Sequence, residues 1–379
     1  FGQGGATLFS MNLGAKKHEG AQEALGNAFI MLILVGFSYM LLSQLFLVRL
    51  LKLFGASKTI LPYAVEYMRY ILFGSVFQVV SMGLNNFMRA DGNPKLAMYT
   101  MFLGAGTNIV LDPVFIYGFK MGMAGAAIAT VISQLFSFIW VVSYFTGKKS
   151  KVKLILKYIK PKFNVVFKIL SLGLPGFSLQ IANSLLNLIL NKNLQLYGGD
   201  IAVSGMGVIN SVQTMLIMPI IGLNQGVQPI ISFNFGAKNY DRVKNAAKLA
   251  VKTATIVTTI GFVITRLFPL QIISLFNREP DMLEFGSHAI ITWFLCLPVV
   301  GFQIIGANFF QALGRYKTSM FLTLTRQIII LIPSIIIFSK IWGIKGLVYA
   351  APFADSLSFL LTASFFYYGI KHLENFKLI

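Results

Sequence analysis

Residues 3–16 read Gln3-Gly4-Gly5-Ala6-Thr7-Leu8-Phe9-Ser10-Met11-Asn12-Leu13-Gly14-Ala15-Lys16. Residues 225–238 read Gln225-Gly226-Val227-Gln228-Pro229-Ile230-Ile231-Ser232-Phe233-Asn234-Phe235-Gly236-Ala237-Lys238. Gln-Gly, Ser, Asn and Gly-Ala-Lys recur at the same spacing, at an offset of 222 that carries position 3 to position 225. The same offset carries Asn86, Ala90, Gly92 and Lys95 onto Asn308, Ala312, Gly314 and Lys317. By Gly122-x-x-Gly125 and Gly343-x-x-Gly346 it has slipped to 221. The chain is therefore built from two similar halves.

The solvent of those halves is a bilayer. Hydrophobic residues make up 56% of the 379 and charged residues only 12%, against about 25% charged in soluble domains. Residues 28–48, 70–88, 121–147, 169–191 and 201–235 contain no Asp, Glu, Lys or Arg. Residues 96–119, 249–276, 285–314, 318–339 and 346–370 are similar, with one or two ionisable groups each. About 20 apolar residues suffice for a transmembrane helix. Continuous apolar runs, rather than alternation, exclude a barrel. The reading is an all-α polytopic membrane protein with ten complete spans and a partial one at residues 1–13. Two spans precede the second copy's Gln225, so about two helices of the first half are expected to be missing. That gives two six-helix lobes of parallel repeats, the first cut to about four helices plus a fragment. The expected segments are an N-terminal lobe (1–147), a basic connector (148–162) and a C-terminal lobe (163–379). Parallel repeats around an axis along the membrane normal are a transporter architecture.

The net charge of +20 is read as cytoplasmic loop charge rather than a nucleic-acid footprint. Eighteen Lys and Arg fall in one alternate set of loops and eight in the other. The richer set, which includes Lys16, Lys238, Lys371 and Lys377, is placed inside by the positive-inside rule. The C-terminus is then cytoplasmic. The connector holds seven lysines between Lys148 and Lys162. It is expected on the anionic inner leaflet, where each gains about 1 kcal/mol. Cys296 is the single cysteine, so no disulfide within the chain is possible. No Walker loop, His-Glu-x-x-His, Gly-x-Ser-x-Gly or Cys-x-x-Cys occurs, which argues against an enzyme and against direct use of ATP.

Ionisable groups at bilayer depth usually face a cavity or a partner. Asp112 lies in Asn108-Ile109-Val110-Leu111-Asp112-Pro113. Asn108, four residues earlier, shares its helix face, and Pro113 deprives the Ile109 carbonyl of its donor. Thr130, one span later, adds a hydroxyl. Hard oxygens of this kind suit a proton or Na⁺. Asp355 and Arg326 belong to adjacent helices and form either a static buried pair or a gate and substrate contact. Gln180, Asn183, Asn187 and Asn191 make one stripe, and Gln78, Asn85, Ser75 and Ser81 a second face. Each serves interhelical bonding or lines a water-filled cavity. Met206, Met215, Met218, Tyr99 and Phe102 are candidates for soft contacts to apolar cations.

The twice-used Gln-Gly…Gly-Ala-Lys segment resembles the multidrug and toxic compound extrusion (MATE) transporters. So do Arg89-Ala90-Asp91-Gly92-Asn93, Asn108-Ile109-Val110-Leu111-Asp112-Pro113 and Gly125-Ala126-Ala127-Ile128-Ala129-Thr130. The nearer branch is the bacterial one with the DinF-like and Staphylococcus-type drug exporters. The resemblance covers nearly the whole chain. It implies twelve helices in two lobes around a central cavity and export of amphipathic, often cationic, drugs in exchange for Na⁺ or H⁺. It implies Asp112, Asn108 and Thr130 as the first-lobe cation site, no cofactor, lipid as the surrounding partner, and a monomer in the bacterial plasma membrane. The alternatives are a related lipid-linked saccharide flippase, a truncated inactive transporter and, last, a prenyl-lipid transferase, which would need paired acids.

Overall fold

A computed structural model describes residues 1–376. Lys377, counted above among the cytoplasmic charges, lies outside the described residues. Among those described, the regular structure is entirely helical: α1 Gly2–Gly14, α2 His18–Leu45, α3 Leu47–Leu53, α4 Leu61–Ala90, α5 Pro94–Pro113, α6 Gly122–Thr146, α7 Phe163–Gly236, α8 Tyr240–Leu267, α9 Pro269–Ser274, α10 Pro280–Trp293, α11 Leu297–Ala312, α12 Tyr316–Leu324 and α13 Ile332–Lys371. Seven helical stretches are long and apolar enough to span a membrane, or eight when the bent pair α10–α11 counts as one span. Two of them are double. The long α7 breaks at Gly199 (φ 62°) and α13 at Gly343 (φ 60°), a left-handed conformation open mainly to glycine. Divided there, most of the ten apolar stretches read from the sequence fall in one helix each; 285–314 falls in the bent pair, 28–48 and 249–276 run on into the short α3 and α9, and 318–339 runs from α12 through a π segment into α13.

The repeat is written in the backbone as well. Lys16 (φ 59°) and Lys238 (φ 57°) are both left-handed. Each turn closes the same way: Lys17 N donates to Asn12 O at 2.8 Å and Asn239 N to Asn234 O at 2.8 Å. These are Schellman-type closures that satisfy the last helical carbonyls. Gly92 (φ 94°) and Gly314 (φ 79°) end α4 and α11 in equivalent turns. Gly125 and Gly346 are both pressed against the preceding helix, on the carbonyls of Phe115 and Phe338.

The chain divides into two compact units, Phe1–Gly173 and Leu174–Ile379. The boundary falls inside α7, whereas the sequence reading placed it at a connector covering residues 148–162. The physical reason is that the connector and the first turns of α7 pack on the first unit. Val152, Ile169 and Leu172 are buried there with Leu25, Leu84 and Phe87. Phe9 meets Phe87 edge to face at 5.4 Å. In the second unit Leu190, Ile209, Trp293, Ile335 and Leu347 form the core. Thr258 on α8 donates to the Pro298 carbonyl of α11 at 3.1 Å. Large side chains such as Phe37, Leu41, Phe73, Met101, Ile260 and Leu360 are exposed, as expected of faces that lie in lipid.

Candidate functional site

The first unit brings Asn108, Asp112 and Thr130 together. Asn108 Nδ2 donates to Asp112 Oδ1 at 3.0 Å, one turn along α5, and to Thr130 Oγ1 on α6 at 3.3 Å. Thr130 Oγ1 donates in turn to the Ala126 carbonyl at 3.0 Å. All three side chains are half-buried. Among the described residues no basic group forms an ion pair with Asp112; the two ion pairs are Lys162–Glu23 and Arg326–Asp355. Among the described residues, Asp112 Oδ2 and Asn108 Oδ1 accept no hydrogen bond. Pro113 follows directly, and the helix widens into a π turn over Val114–Gly118. A missing N–H explains the change of pitch. A carboxylate of this kind, polar on one side and accessible, has the chemistry to hold a small hard cation or a proton.

The second unit brings Arg326 and Asp355 together. Arg326 Nε donates to Asp355 Oδ1 at 2.7 Å, and Gln303 Nε2 donates to the main-chain carbonyl of Asp355. Asp355 is buried, while Arg326 faces a small cleft with Gln213, Trp293, Phe294 and Val300. Arg326 stands in a π segment, Thr325–Leu331. The two copies are thus unlike at their charged positions. Gln134 stands where Asp355 would fall, at an offset of 221.

The amide stripe is split between uses. Asn183 accepts from Gln327 Nε2 at 2.6 Å, whereas Gln180 and Asn187 are exposed. In the first unit Gln78 is exposed, but Asn85 is buried and donates to the Ala97 carbonyl at 2.8 Å. Met215 is exposed and Met206 is buried in the core. Asn85 and Met206 therefore serve packing within their units and present no free surface to a ligand. Sequence reasoning gave no role to Asn193, which accepts from Ser339 Oγ at 3.1 Å, or to Gln213, which accepts from Trp293 Nε1 at 2.9 Å. Nor did it give one to Asp91, which is 1% exposed and accepts from Tyr144 OH at 2.5 Å and Lys151 N at 3.0 Å. Comparing the two copies position by position would have exposed Asp91, because Leu313 takes its place in the second.

Comparison with known proteins shows the family and the fold. The family model described as MatE matches residues 1–114 and 175–337. The multidrug export protein MepA of Staphylococcus haemolyticus is 24% identical over 98% of this chain and 81% of its own length. MepA of Staphylococcus aureus is 26% identical over 94% of this chain and 78% of its own. A crystal structure of MATE in the bent conformation superposes with a TM-score of 0.92 at 25% identity, covering 99% of this chain and 84% of that one.

Proposed function

The chain belongs to the MatE family, and from that premise we propose that it is a cation-coupled antiporter that exports amphipathic, often cationic, drugs by alternating access. It is a multi-pass protein of a bacterial plasma membrane, in the branch of the DinF-like and Staphylococcus-type exporters, with its C-terminus in the cytoplasm. The coupling ion is Na⁺ or H⁺. The observation that carries the reading is the half-buried Asp112 carboxylate, held by Asn108 beside Thr130 and free of any basic partner among the described residues.

The mechanism follows from charge. An ionised Asp112 attracts a cation, and binding of Na⁺ or H⁺ neutralises it. Exchange between cation and drug moves the transporter only if each binds the two conformations with different affinity. Arg326 is held by Asp355, which weakens the flippase reading, since phosphate groups need free basic side chains. The relatives carry the name multidrug export protein, which favours drugs over lipid-linked sugars.

The test is dye efflux from vesicles bearing the protein, with Na⁺ and pH gradients imposed separately. One gradient is expected to drive efflux, and its effect disappears in Asp112→Asn. Efflux that neither gradient drives overturns the reading.

A further inference from the structure

The segment joining α6 to α7 is fixed along its length to the first unit. Lys151 N donates to Asp91 Oδ2, and Leu154 N donates to the Phe145 carbonyl at 2.9 Å. Tyr158 OH donates to Glu19 Oε1 at 3.2 Å, and its backbone carbonyl presses on Gly26, where a Cβ would not fit. Lys162 N donates to Asn27 Oδ1 at 2.6 Å, and its ammonium pairs with Glu23. Val152 and Ser150 are buried.

Most of this seat is particular to the first copy. At the offset of 222, Glu23, Gly26, Asn27 and Asp91 become Asn245, Lys248, Leu249 and Leu313. At the offset of 221, Tyr144 becomes Phe365. Among the side chains that hold the connector, Glu19 keeps an acid at the equivalent position, Asp241, while the others are replaced.

A connector fixed in this way displays what points outward. Lys148, Lys149, Lys153, Lys157 and Lys160 are exposed, and none forms an ion pair among the described residues. Leu156 (84% exposed) and Phe163 (83%) protrude among them. Two spanning helices, α6 and α7, flank the segment, so both its ends lie at one face of the membrane. Basic side chains interleaved with protruding apolar ones at that depth match the chemistry of lipid headgroups over acyl chains. We propose that residues 148–163 form a fixed docking surface for anionic phospholipid headgroups, with the lysines on the phosphates and Leu156 and Phe163 in the interface.

The test is native mass spectrometry of the full chain equilibrated with equal amounts of phosphatidylglycerol and phosphatidylcholine. It needs no transport, so its result is independent of the antiport reading. The expected result is preferential retention of phosphatidylglycerol, lost in the five-fold Lys→Gln variant of Lys148, Lys149, Lys153, Lys157 and Lys160 and kept in the five-fold Lys→Arg variant. If the Gln variant fails to fold, the same preference is read in the native chain across a salt series, where screening must abolish it. Equal retention of the two lipids, a preference indifferent to charge removal or salt, or displacement of the lipid by free glycerol 3-phosphate overturns the proposal.

Discussion

Asn108 donates its amide to the carboxylate of Asp112 one turn away on α5, and Asp112 has no basic group beside it among the described residues. Removing the charge keeps the shape. Asp112→Asn is therefore expected to reach the membrane at normal abundance and to lose gradient-driven efflux. Drug resistance of cells expressing this variant at the full level would remove Asp112 from the mechanism.

Asn108→Ala removes one hydrogen bond to a charged group, worth about 1.5–3 kcal/mol. That corresponds to a roughly 10- to 100-fold change in equilibrium. If Asn108 orients the bound form, the cation concentration for half-maximal efflux rises by that factor while maximal efflux is retained. If it orients only the empty form, the concentration falls. Cation titration of initial efflux rates separates the two.

The pair Arg326–Asp355 is a different object, because its charges already satisfy each other. Arg326→Ala leaves a buried carboxylate alone, a loss of about 3–5 kcal/mol in comparable buried pairs. The double change Arg326→Met with Asp355→Leu is expected to be much less damaging. Thermal unfolding of the single and double variants in one detergent measures the coupling. Equal losses in single and double variants would show that the pair contributes only packing.

Much of this was legible in the sequence, and the limits were physical. Ten apolar stretches mark ten helical segments because lipid permits little else. The Asn108–Asp112–Thr130 group was legible because helix periodicity puts i and i+4 on one face and a single hydroxyl lies one span later. The connector's attachment to the first unit was not, since its seven lysines read only as a basic segment lying on the inner leaflet. Its attachment depends on side chains distant in sequence, such as Asn27 and Asp91, that only folding brings near. Asn85 and Met206 were misplaced because a polar or soft residue in a helix has no sequence mark to tell a cavity from a neighbouring helix.

Gly346 tests the repeat through packing. A Cβ there would lie 2.0 Å from the Phe338 carbonyl, against 2.9 Å between a Cβ at Gly125 and the Phe115 carbonyl. Overpacking costs about 1–3 kcal/mol in ordinary cores. Gly346→Ala is expected to exceed that range and Gly125→Ala to fall within it. Fluorescence-detected size exclusion of the two variants after a heat step ranks them, and equal melting would contradict the close approach at Gly346.

Asp91 gives the connector a pH dependence whose sign is unusual for a carboxylate. The residue lies just beyond α4, outside the spanning helices, and burial raises its pKa above the ordinary carboxylate value. Hydrogen bonds from Tyr144, Ser150 and Lys151 N and the Lys151 charge oppose that shift without cancelling it. Asn93 Nδ2 donates to Tyr144 OH at 2.6 Å and completes the surroundings. A raised pKa means that the docked state binds more protons than the released one. Docking of residues 150–154 is then tightest below the ordinary Asp pKa of about 3.9. It weakens as pH rises from there through the raised value, and is constant above it. Amide exchange of residues 150–154, corrected for the intrinsic rate at each pH, is expected to show protection declining over that window. Asp91→Asn is expected to hold the connector with no such decline, because an amide keeps an acceptor for Tyr144 and Lys151 N but does not titrate. Protection in the native chain that instead grows with pH across the window would mean that the hydrogen bonds outweigh burial at Asp91.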